Sequence, residues 1–241
     1  MSVGDPEARG ESLGVPSGVR RVFAPTAGAT RIVLVRHGEA VCNREGIVGG
    51  RRGCTGLTDL GRRQVAAVTA RLTASGELGT TSALYASDLP RAVETAELLR
   101  PALGDGAAEI VQEADLSELR PGEADGLCWE EVVERFGVPE WDVEPDTLIA
   151  PGGESWTTFV TRASGAVRQL AERHPGELIV AAVHAGVIES TVIAFLQLPP
   201  SVTRRGWARI VHGSLTEWEW VPTESRWVLI RFNDACGVPT A

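Results

Sequence analysis

The sequence of 241 residues is 43% apolar and has a formal net charge of −9, so it is long enough to bury the core of one domain of ordinary size. The acidic balance argues against broad nucleic-acid binding, which needs a basic surface to displace counterions from phosphates, and the apolar runs are too short to span a bilayer. All 23 basic residues are arginine, which excludes a lysine Schiff base and the Walker phosphate loop with its lysine.

The N-terminal residues 1–29 are rich in Gly, Pro, Ser and charged residues, and their apolar residues follow no regular spacing. We therefore expect a flexible tail there, a single domain at 30–236 and a short tail at 237–241. The N-terminus lacks the basic start and apolar stretch of a secretory signal, so we expect a cytoplasmic protein.

The four cysteines are scattered along the chain and include no Cys-x-x-Cys pair; they are Cys42, Cys54, Cys128 and Cys236. Such spacing is not typical of a zinc site or of a disulfide framework. We expect four free thiols.

Short apolar segments alternate with segments of helical periodicity from residue 30 onward. The expected strands lie at 32–35, 83–86 and 178–183, and the expected helices at 59–72, 88–99, 155–174 and 186–196. Thr58 and Ser155 are the expected N-caps of two of these helices, and Pro90 falls in a first turn, where proline is tolerated. The alternation predicts an α/β fold, a three-layer αβα sandwich around a mostly parallel central sheet. Segments 214–221 and 227–233 predict a hairpin at the sheet edge, which makes an edge strand antiparallel.

Residues 116–153 depart from this pattern, because they mix acidic residues, tryptophans, glycines and prolines, with one helical stretch at 129–136. Long irregular connections in compact domains are often functional. We expect a lid-like insertion over the functional site. Trp129 and Trp141 either line a pocket for a bulky leaving group there or simply pack within the insertion.

Two histidines follow predicted strands directly. His37 comes after Arg36 at the end of the first strand, and His184 precedes a glycine at the end of the strand at 178–183. Ligands of open α/β sheets bind beyond the carboxyl ends of the strands, so the pair indicates a site, although either histidine alone is typical of packing. Arg91 lies in the first turn of a helix, where free N–H groups favour anions; the alternative is a surface salt bridge.

Ordered sequence motifs extend this pattern over roughly residues 31–232. They are RHGE at 36–39 with Asn43, GLTDLG at 56–61, SDLPRAVETA at 87–96, LSE at 116–118 with Gly122 and the Gly-Leu pair at 126–127, GGES at 152–155, and VHAG at 183–186. In this order the motifs resemble the histidine phosphatase superfamily, whose fold is phosphoglycerate mutase-like.

The resemblance implies a set of catalytic roles. His37 would attack phosphorus and form a phosphohistidine that water later hydrolyses. Arg36, Arg91 and His184 would stabilise the charge of the transferring phosphoryl group, and Glu118 would protonate the leaving group. Several other acidic residues lie near Glu118 in the sequence, and the choice among them stays open, as does a solvated loop for the whole acidic run.

The substrate-binding candidates are less specific. Asn43 is expected to bind a phosphate oxygen or to aim His37, and the alternative is a turn residue. Arg51 and Arg52, in a glycine-rich loop, are expected to reach a second anionic group of the substrate, the alternative being two solvated arginines. Thr55 and Ala185 complete the predicted substrate-binding set.

Three positions depart from the family pattern. Position 42, often tryptophan in the mutases, is Cys42, and the residue after the second histidine, usually glycine, is Ala185. His212 stands where many members have asparagine, and we interpret it as structural. Cys42 is either reactive beside the cationic cluster or inert packing.

These patterns predict a metal-independent phosphomonoesterase of a small phosphorylated metabolite, with no cofactor and no metal. The expected partner is a small-molecule phosphate ester rather than nucleic acid or membrane, and a homodimer is left open. The first alternative is phosphoryl transfer of the phosphoglycerate mutase type, which uses the same residues. The second is a non-catalytic phosphate-binding module that keeps the fold without the chemistry.

Overall fold

A computed structural model describes residues 24–107, 109–199 and 208–239. Most of the predicted N-terminal tail and the last two residues lie outside this range, and residues 24–28 are exposed. The helices and strands in chain order are β1 (Thr30–Arg36), α1 (Val41–Glu45), α2 (Asp59–Ser75), β2 (Ala83–Ala86), α3 (Pro90–Leu99), β3 (Ile110–Gln112), α4 (Trp129–Phe136), α5 (Trp156–Arg173), β4 (Leu178–Val183), α6 (Ala185–Phe195), β5 (Leu215–Val221) and β6 (Arg226–Asp234).

The described strands form one sheet in the order β3-β2-β4-β1-β5-β6. Strands β1 to β4 are mutually parallel where they pair, whereas β5 is antiparallel to β1 and β6 is antiparallel to β5. The predicted α/β fold with a mostly parallel sheet is confirmed, and the C-terminal hairpin supplies the antiparallel edge.

Strand β1 lies in the middle of the sheet and is covered on both faces. Ile32 and Leu34 pack with residues of α5 and α6, while Val33 and Val35 pack with residues of α2 and α3. Successive side chains of a strand point to opposite faces, so a strand buried on both sides is apolar throughout. The three layers therefore follow from the unbroken apolar run of β1 and from the matching run of β4.

Most predicted boundaries agree with the structure to within a few residues. Thr58 and Ser155 are the N-caps expected, since their hydroxyl groups accept hydrogen bonds from the backbone N–H groups of Gly61 and Thr158, at 3.0 and 3.2 Å. Helix α3 starts at Pro90 rather than at residue 88, because proline suits the first helical position, where its missing N–H would have no partner. The short elements α1 and β3 were not predicted; five and three residues carry no measurable periodicity.

The segment predicted as a lid-like insertion contains helix α4, with the bounds expected from the sequence. Val132 of this helix is fully buried in a small cluster with Val48, Ala124 and Ala150. The segment is thus anchored to the loop after α1 by its own apolar contacts. No helix among the described residues is long and apolar enough to cross a membrane.

Candidate active site

The register of the central strands brings the two histidines together. Arg36 at the end of β1 pairs with Val183 at the end of β4, so the next residues along both strands, His37 and His184, emerge side by side. Their ring centroids are 5.1 Å apart, and both side chains are buried. The sequence predicted this proximity from two strand ends.

The hydrogen bonds of His37 leave one ring nitrogen as an acceptor. Its Nδ1 lies 2.6 Å from the carbonyl oxygen of Gly38, which can only accept, so Nδ1 carries the proton. Its Nε2 accepts a hydrogen bond from Nε of Arg91, at 3.1 Å. The lone pair of Nε2 therefore faces the guanidinium group that is predicted to hold the phosphate.

Electrostatics keep the His37 imidazole neutral. Burial lowers its pKa well below 6.5, and the charges of Arg91 and Arg36 act in the same direction. Because only the unprotonated nitrogen is a nucleophile, the ring is in its reactive form at neutral pH.

Two arginines flank the histidine. Arg91 is 3% exposed and is fixed by a hydrogen bond from Nη1 to the carbonyl oxygen of Gly49, at 2.7 Å. Arg36 donates a hydrogen bond to the carbonyl oxygen of Ile210, and its buried Nε has no partner. Burial lowers the pKa of Arg36 to about 10, partly offset by Glu118 and Glu189. Arg36 therefore remains cationic at neutral pH, and the planar fork of each guanidinium group suits two oxygens of a phosphate.

His184 occupies the N-cap position of α6 and has no exposed surface. Its Nε2 lies 2.8 Å from the hydroxyl oxygen of Ser87, and its Nδ1 is buried without a hydrogen-bond partner. Burial and the neighbouring Arg91 and Arg36 lower its pKa well below 6.5. Such an orphaned polar atom costs free energy unless a ligand satisfies it.

The carboxylate of Glu118 faces the same space. Its two oxygens accept hydrogen bonds from the backbone N–H groups of Leu119 and Gly186, at 3.1 and 3.2 Å. A Cβ on Gly186 would lie 2.3 Å from a Glu118 oxygen, so only glycine permits this approach. The first turn of α6 therefore fixes Glu118 within the group that contains His37.

The acidic neighbours of Glu118 have other contacts. Asp125 accepts hydrogen bonds from the backbone N–H groups of Arg52 and Gly53, and Asp115 pairs with Arg120. Of the acids near this position in sequence, Glu118 is the one that lines the space beside His37.

Arg36, His37, Arg91 and Glu118 border a cavity of about 320 Å³, which we call the cleft, whereas His184 is buried and is not among its lining residues. The volume of the cleft lies near the lower end of small-molecule sites, which span about 300–1,000 Å³. Of the predicted substrate-binding residues, Asn43 and Ala185 line the cleft. Arg51, Arg52 and Thr55 do not line the cleft itself. Arg51 pairs with Asp88 and lines an adjoining cavity that shares Glu118 with the cleft, Arg52 pairs with Asp125, and Thr55 is exposed.

The sequence gave no indication that Trp156 and Glu189 belong to the site, and it predicted only a structural role for His212, which lies beside His37. Trp156 and Glu189 line the cleft from α5 and α6, and no sequence motif indicated them. The ring centroid of His212 lies 5.6 Å from that of His37, and burial with the charges of Arg36 and Arg91 lowers its pKa to about 3. The sequence offered one indication of this proximity: His212 comes just before β5, and β5 pairs with β1, the strand that leads into His37.

All four cysteines are free thiols, as predicted. The fold nevertheless brings Cys42, which lines the cleft, into contact with Cys54, and both are buried. The hydrogen bond with Cys42 lowers the pKa of the Cys54 thiol to about 5, with Arg91 contributing in the same direction, and the same contact raises the pKa of Cys42. Cys42 lies in α1 and Cys54 in the glycine-rich loop after it, and the sequence between them gave no sign that the two would meet.

No cluster of three or more His, Cys, Asp or Glu side chains with the geometry of a metal site occurs among the described residues.

Comparison with known proteins identifies the family from the whole arrangement. The family model of the histidine phosphatase superfamily (branch 1) matches residues 32–235, which include every motif and both strand-end histidines. The chain belongs to this superfamily. The predicted enzyme class, a histidine phosphatase, is confirmed at this level.

Two plant proteins are similar in sequence to this histidine phosphatase. A metal-independent phosphoserine phosphatase of Arabidopsis thaliana is 33% identical over 173 residues, which cover 70% of this chain and 69% of that protein. Phosphoglycerate mutase-like protein 4 of the same plant is 35% identical over 166 residues, which cover 66% and 68%.

Among solved structures, that of mycobacterial glucosyl-3-phosphoglycerate phosphatase with VO3 has a TM-score of 0.69 and 25% identity. The match covers 85% of this histidine phosphatase and 99% of that chain. The similarity thus extends over most of the described fold, including the sheet that carries His37 and His184.

Proposed function

We propose that the protein is a metal-independent phosphomonoesterase that hydrolyses a small phosphorylated metabolite through a phosphohistidine on His37. The observation that carries this proposal is the pair of hydrogen bonds on His37, which leaves Nε2 unprotonated beside Arg91. An imidazole held in this tautomer at a cationic site is suited to attack phosphorus.

The first step transfers the phosphoryl group to the enzyme. His37 Nε2 donates its lone pair to phosphorus, and the bond from phosphorus to the ester oxygen breaks. Glu118, as a carboxylic acid, gives its proton to the departing alkoxide. Arg36 and Arg91 stabilise the negative charge on the three equatorial oxygens, and the N–H groups at the start of α6 favour the same charge.

The second step releases phosphate. The Glu118 carboxylate accepts a proton from a water molecule whose oxygen attacks phosphorus, and the bond to Nε2 breaks. Glu118 ends the cycle protonated and His37 ends it with its lone pair restored. Both steps use the same carboxyl group because the alcohol leaves from the position that water then occupies.

The neutral state of His184 also fits this role. With Nε2 engaged by Ser87, its Nδ1 has no partner among the described residues. In the neutral ring one nitrogen carries a proton, and donation from His184 to a phosphate oxygen would remove the cost of the orphaned group. His184 is therefore assigned a phosphate-binding role beside the two arginines.

The test is release of inorganic phosphate from 4-nitrophenyl phosphate and from a panel of phosphorylated metabolites. We expect activity that persists in EDTA, is inhibited by vanadate and is abolished in His37→Ala. The variant Arg63→Ala, on an exposed face of α2, serves as the control. Undiminished turnover in His37→Ala contradicts the proposal, and transfer to phosphoglycerate in place of release to water would assign the mutase alternative.

A further inference from the structure

Beyond the phosphate end, the cleft is walled by aromatic side chains. Trp129, Trp141 and Trp156 line it together, and we call these three residues the aromatic wall. They come from α4, from the segment after it and from the first turn of α5, and all three border the same cavity. The catalytic steps proposed above use none of them.

The aromatic wall is firmly supported. The rings of Trp141 and Trp156 are stacked, with centroids 5.7 Å apart and an interplanar angle of 23°. Trp156 also packs against the fully buried Phe159, at 5.6 Å. Trp141 donates its indole N–H to the carbonyl oxygen of Thr147, at 2.7 Å, so that polar group is already satisfied and the ring is left to make apolar contacts.

Trp129 is held by its backbone while its side chain stays open. Its N–H donates to the carbonyl oxygen of Gly46, at 3.1 Å, and the buried Val132 anchors the same helix. The side chain is nevertheless 49% exposed although it borders the cleft. A large ring that is fixed at its base and uncovered at a cleft is available to a ligand.

The charges around the cleft disfavour a second anionic group on the substrate. Among the described cleft residues the cations are Arg36 and Arg91, which flank His37, and the remaining charged residues are Glu118 and Glu189. Arg51 lines the adjoining cavity and pairs with Asp88, and Arg52 pairs with Asp125. A leaving group that packs against the tryptophans therefore finds, among the described residues that line the cleft, no cation besides the two that flank His37.

We propose that the aromatic wall binds the alcohol portion of the substrate, and that this alcohol is aromatic and carries no negative charge. The inference rests on the proposed phosphatase activity. Phosphorus sits at His37 Nε2, and the ester oxygen points toward Glu118. The ring of the leaving group then packs on Trp129 at the open side of the cleft.

The experiment compares three esters of primary alcohols, so that leaving-group reactivity is similar: 2-phenylethyl phosphate, ethyl phosphate and O-phosphoserine. We expect kcat/KM to be at least about tenfold higher for 2-phenylethyl phosphate than for the other two, since a well-packed ring adds aromatic contact and buries apolar surface. A higher kcat/KM for O-phosphoserine overturns the inference.

Variants of Trp129 test whether this residue causes the preference for the aromatic ester. Trp129→Ala is expected to reduce kcat/KM for 2-phenylethyl phosphate by about tenfold, mainly through KM, with Trp129→Phe restoring most of it. Ethyl phosphate has no ring to lose and should change less than twofold. Val138→Ala, in the same segment but 69% exposed and away from the cleft, is the matched control. Equal losses for both esters in Trp129→Ala would overturn the inference.

The two proposals fail in different ways. If O-phosphoserine is hydrolysed through His37 while 2-phenylethyl phosphate is not, the aromatic wall does not select the substrate but the phosphatase proposal stands. If none of the three esters is hydrolysed and His37 is not phosphorylated, the phosphatase proposal itself is contradicted.

Discussion

The chemistry proposed for His37 depends on which of its nitrogens carries the proton, and one backbone carbonyl decides this. Gly38 supplies that carbonyl from the residue next in sequence, so the tautomer is built into the turn that follows β1. Arg91 then fixes the direction of the lone pair from a different element, α3. The motif residues could be found in the sequence, whereas the tautomer required the structure.

The role of Glu118 as proton donor can be tested by comparing substrates whose leaving groups differ in their need for a proton. Glu118→Gln keeps the shape of the side chain but cannot donate a proton, so kcat/KM for an alkyl phosphate should fall by about 10²–10⁴-fold. For 4-nitrophenyl phosphate, whose leaving group needs no protonation, we expect a loss of under about tenfold. Steady-state kinetics with both substrates measure the difference.

The control for this prediction is Glu123→Gln, an exposed acid in the same segment and outside the cleft. Its kinetics should match those of the wild type with both substrates. Equal losses for the two leaving groups in Glu118→Gln would instead assign Glu118 to substrate positioning.

The loop that carries His37 is held in place by helix α2. A Cβ on Gly61, in the first turn of α2, would lie 2.1 Å from the carbonyl oxygen of Glu39. A Cβ on Gly38 would lie 2.4 Å from the carbonyl oxygen of Gly61. Glu39 is further held by a hydrogen bond from its N–H to Gln64, at 2.9 Å. Because no side chain separates the two backbones, the loop after β1 and the first turn of α2 form a rigid junction.

We expect Gly61→Ala to lower the free energy of unfolding by about 2–3 kcal/mol, because the backbones must separate to admit the methyl group. Gly165→Ala is the matched control: it lies inside helix α5 with open space around it, and it should raise the free energy of unfolding by about 0.5–1 kcal/mol. Urea denaturation of both variants measures these changes. A stabilising effect of Gly61→Ala would contradict the tight junction.

Helices and strands with a clear hydrophobic periodicity or a clear N-cap could be predicted from the sequence, whereas the short elements α1 and β3 could not. The strand at β4 and the helix α4 agree with the sequence prediction residue for residue, because an unbroken apolar run and an amphipathic stretch each have one interpretation. The sequence predicted only part of the aromatic wall. Trp129 and Trp141 were candidates for a pocket, but nothing in the sequence distinguishes Trp156 from an ordinary residue of the first turn of α5. Its contribution depends on how α5 packs against the insertion.

The molecule as a whole holds three neutral histidines around one site, with His37 and His184 buried and His212 half-buried. The pKa values of His37 and His184 lie well below 6.5, and that of His212 is about 3. In the unfolded chain these groups bind protons near pH 6.5. Below that pH the unfolded state therefore binds more protons than the folded state, and the free energy of unfolding falls as the pH decreases.

The variant His212→Asn should weaken the pH dependence of the free energy of unfolding. Between pH 6.0 and 5.0 each buried neutral histidine contributes about 1 kcal/mol per pH unit to the slope, and the variant removes one of three. The lowered pKa values of Glu154 and Asp234 affect stability only at more acidic pH, as these carboxylates become protonated. Urea denaturation at the two pH values measures the slope; an unchanged slope in the variant would contradict the neutral state of the half-buried His212.

The central claim is that catalysis proceeds through a phosphoryl group on His37 Nε2. The most direct measurement is to mix the enzyme with a radiolabelled phosphate ester, quench in alkali, in which phosphohistidine is stable, and locate the label by digestion and mass spectrometry. We predict label on the peptide containing His37 in the wild type and none in His37→Ala. Label on another residue, such as Cys54, or continued turnover in His37→Ala, would contradict the account.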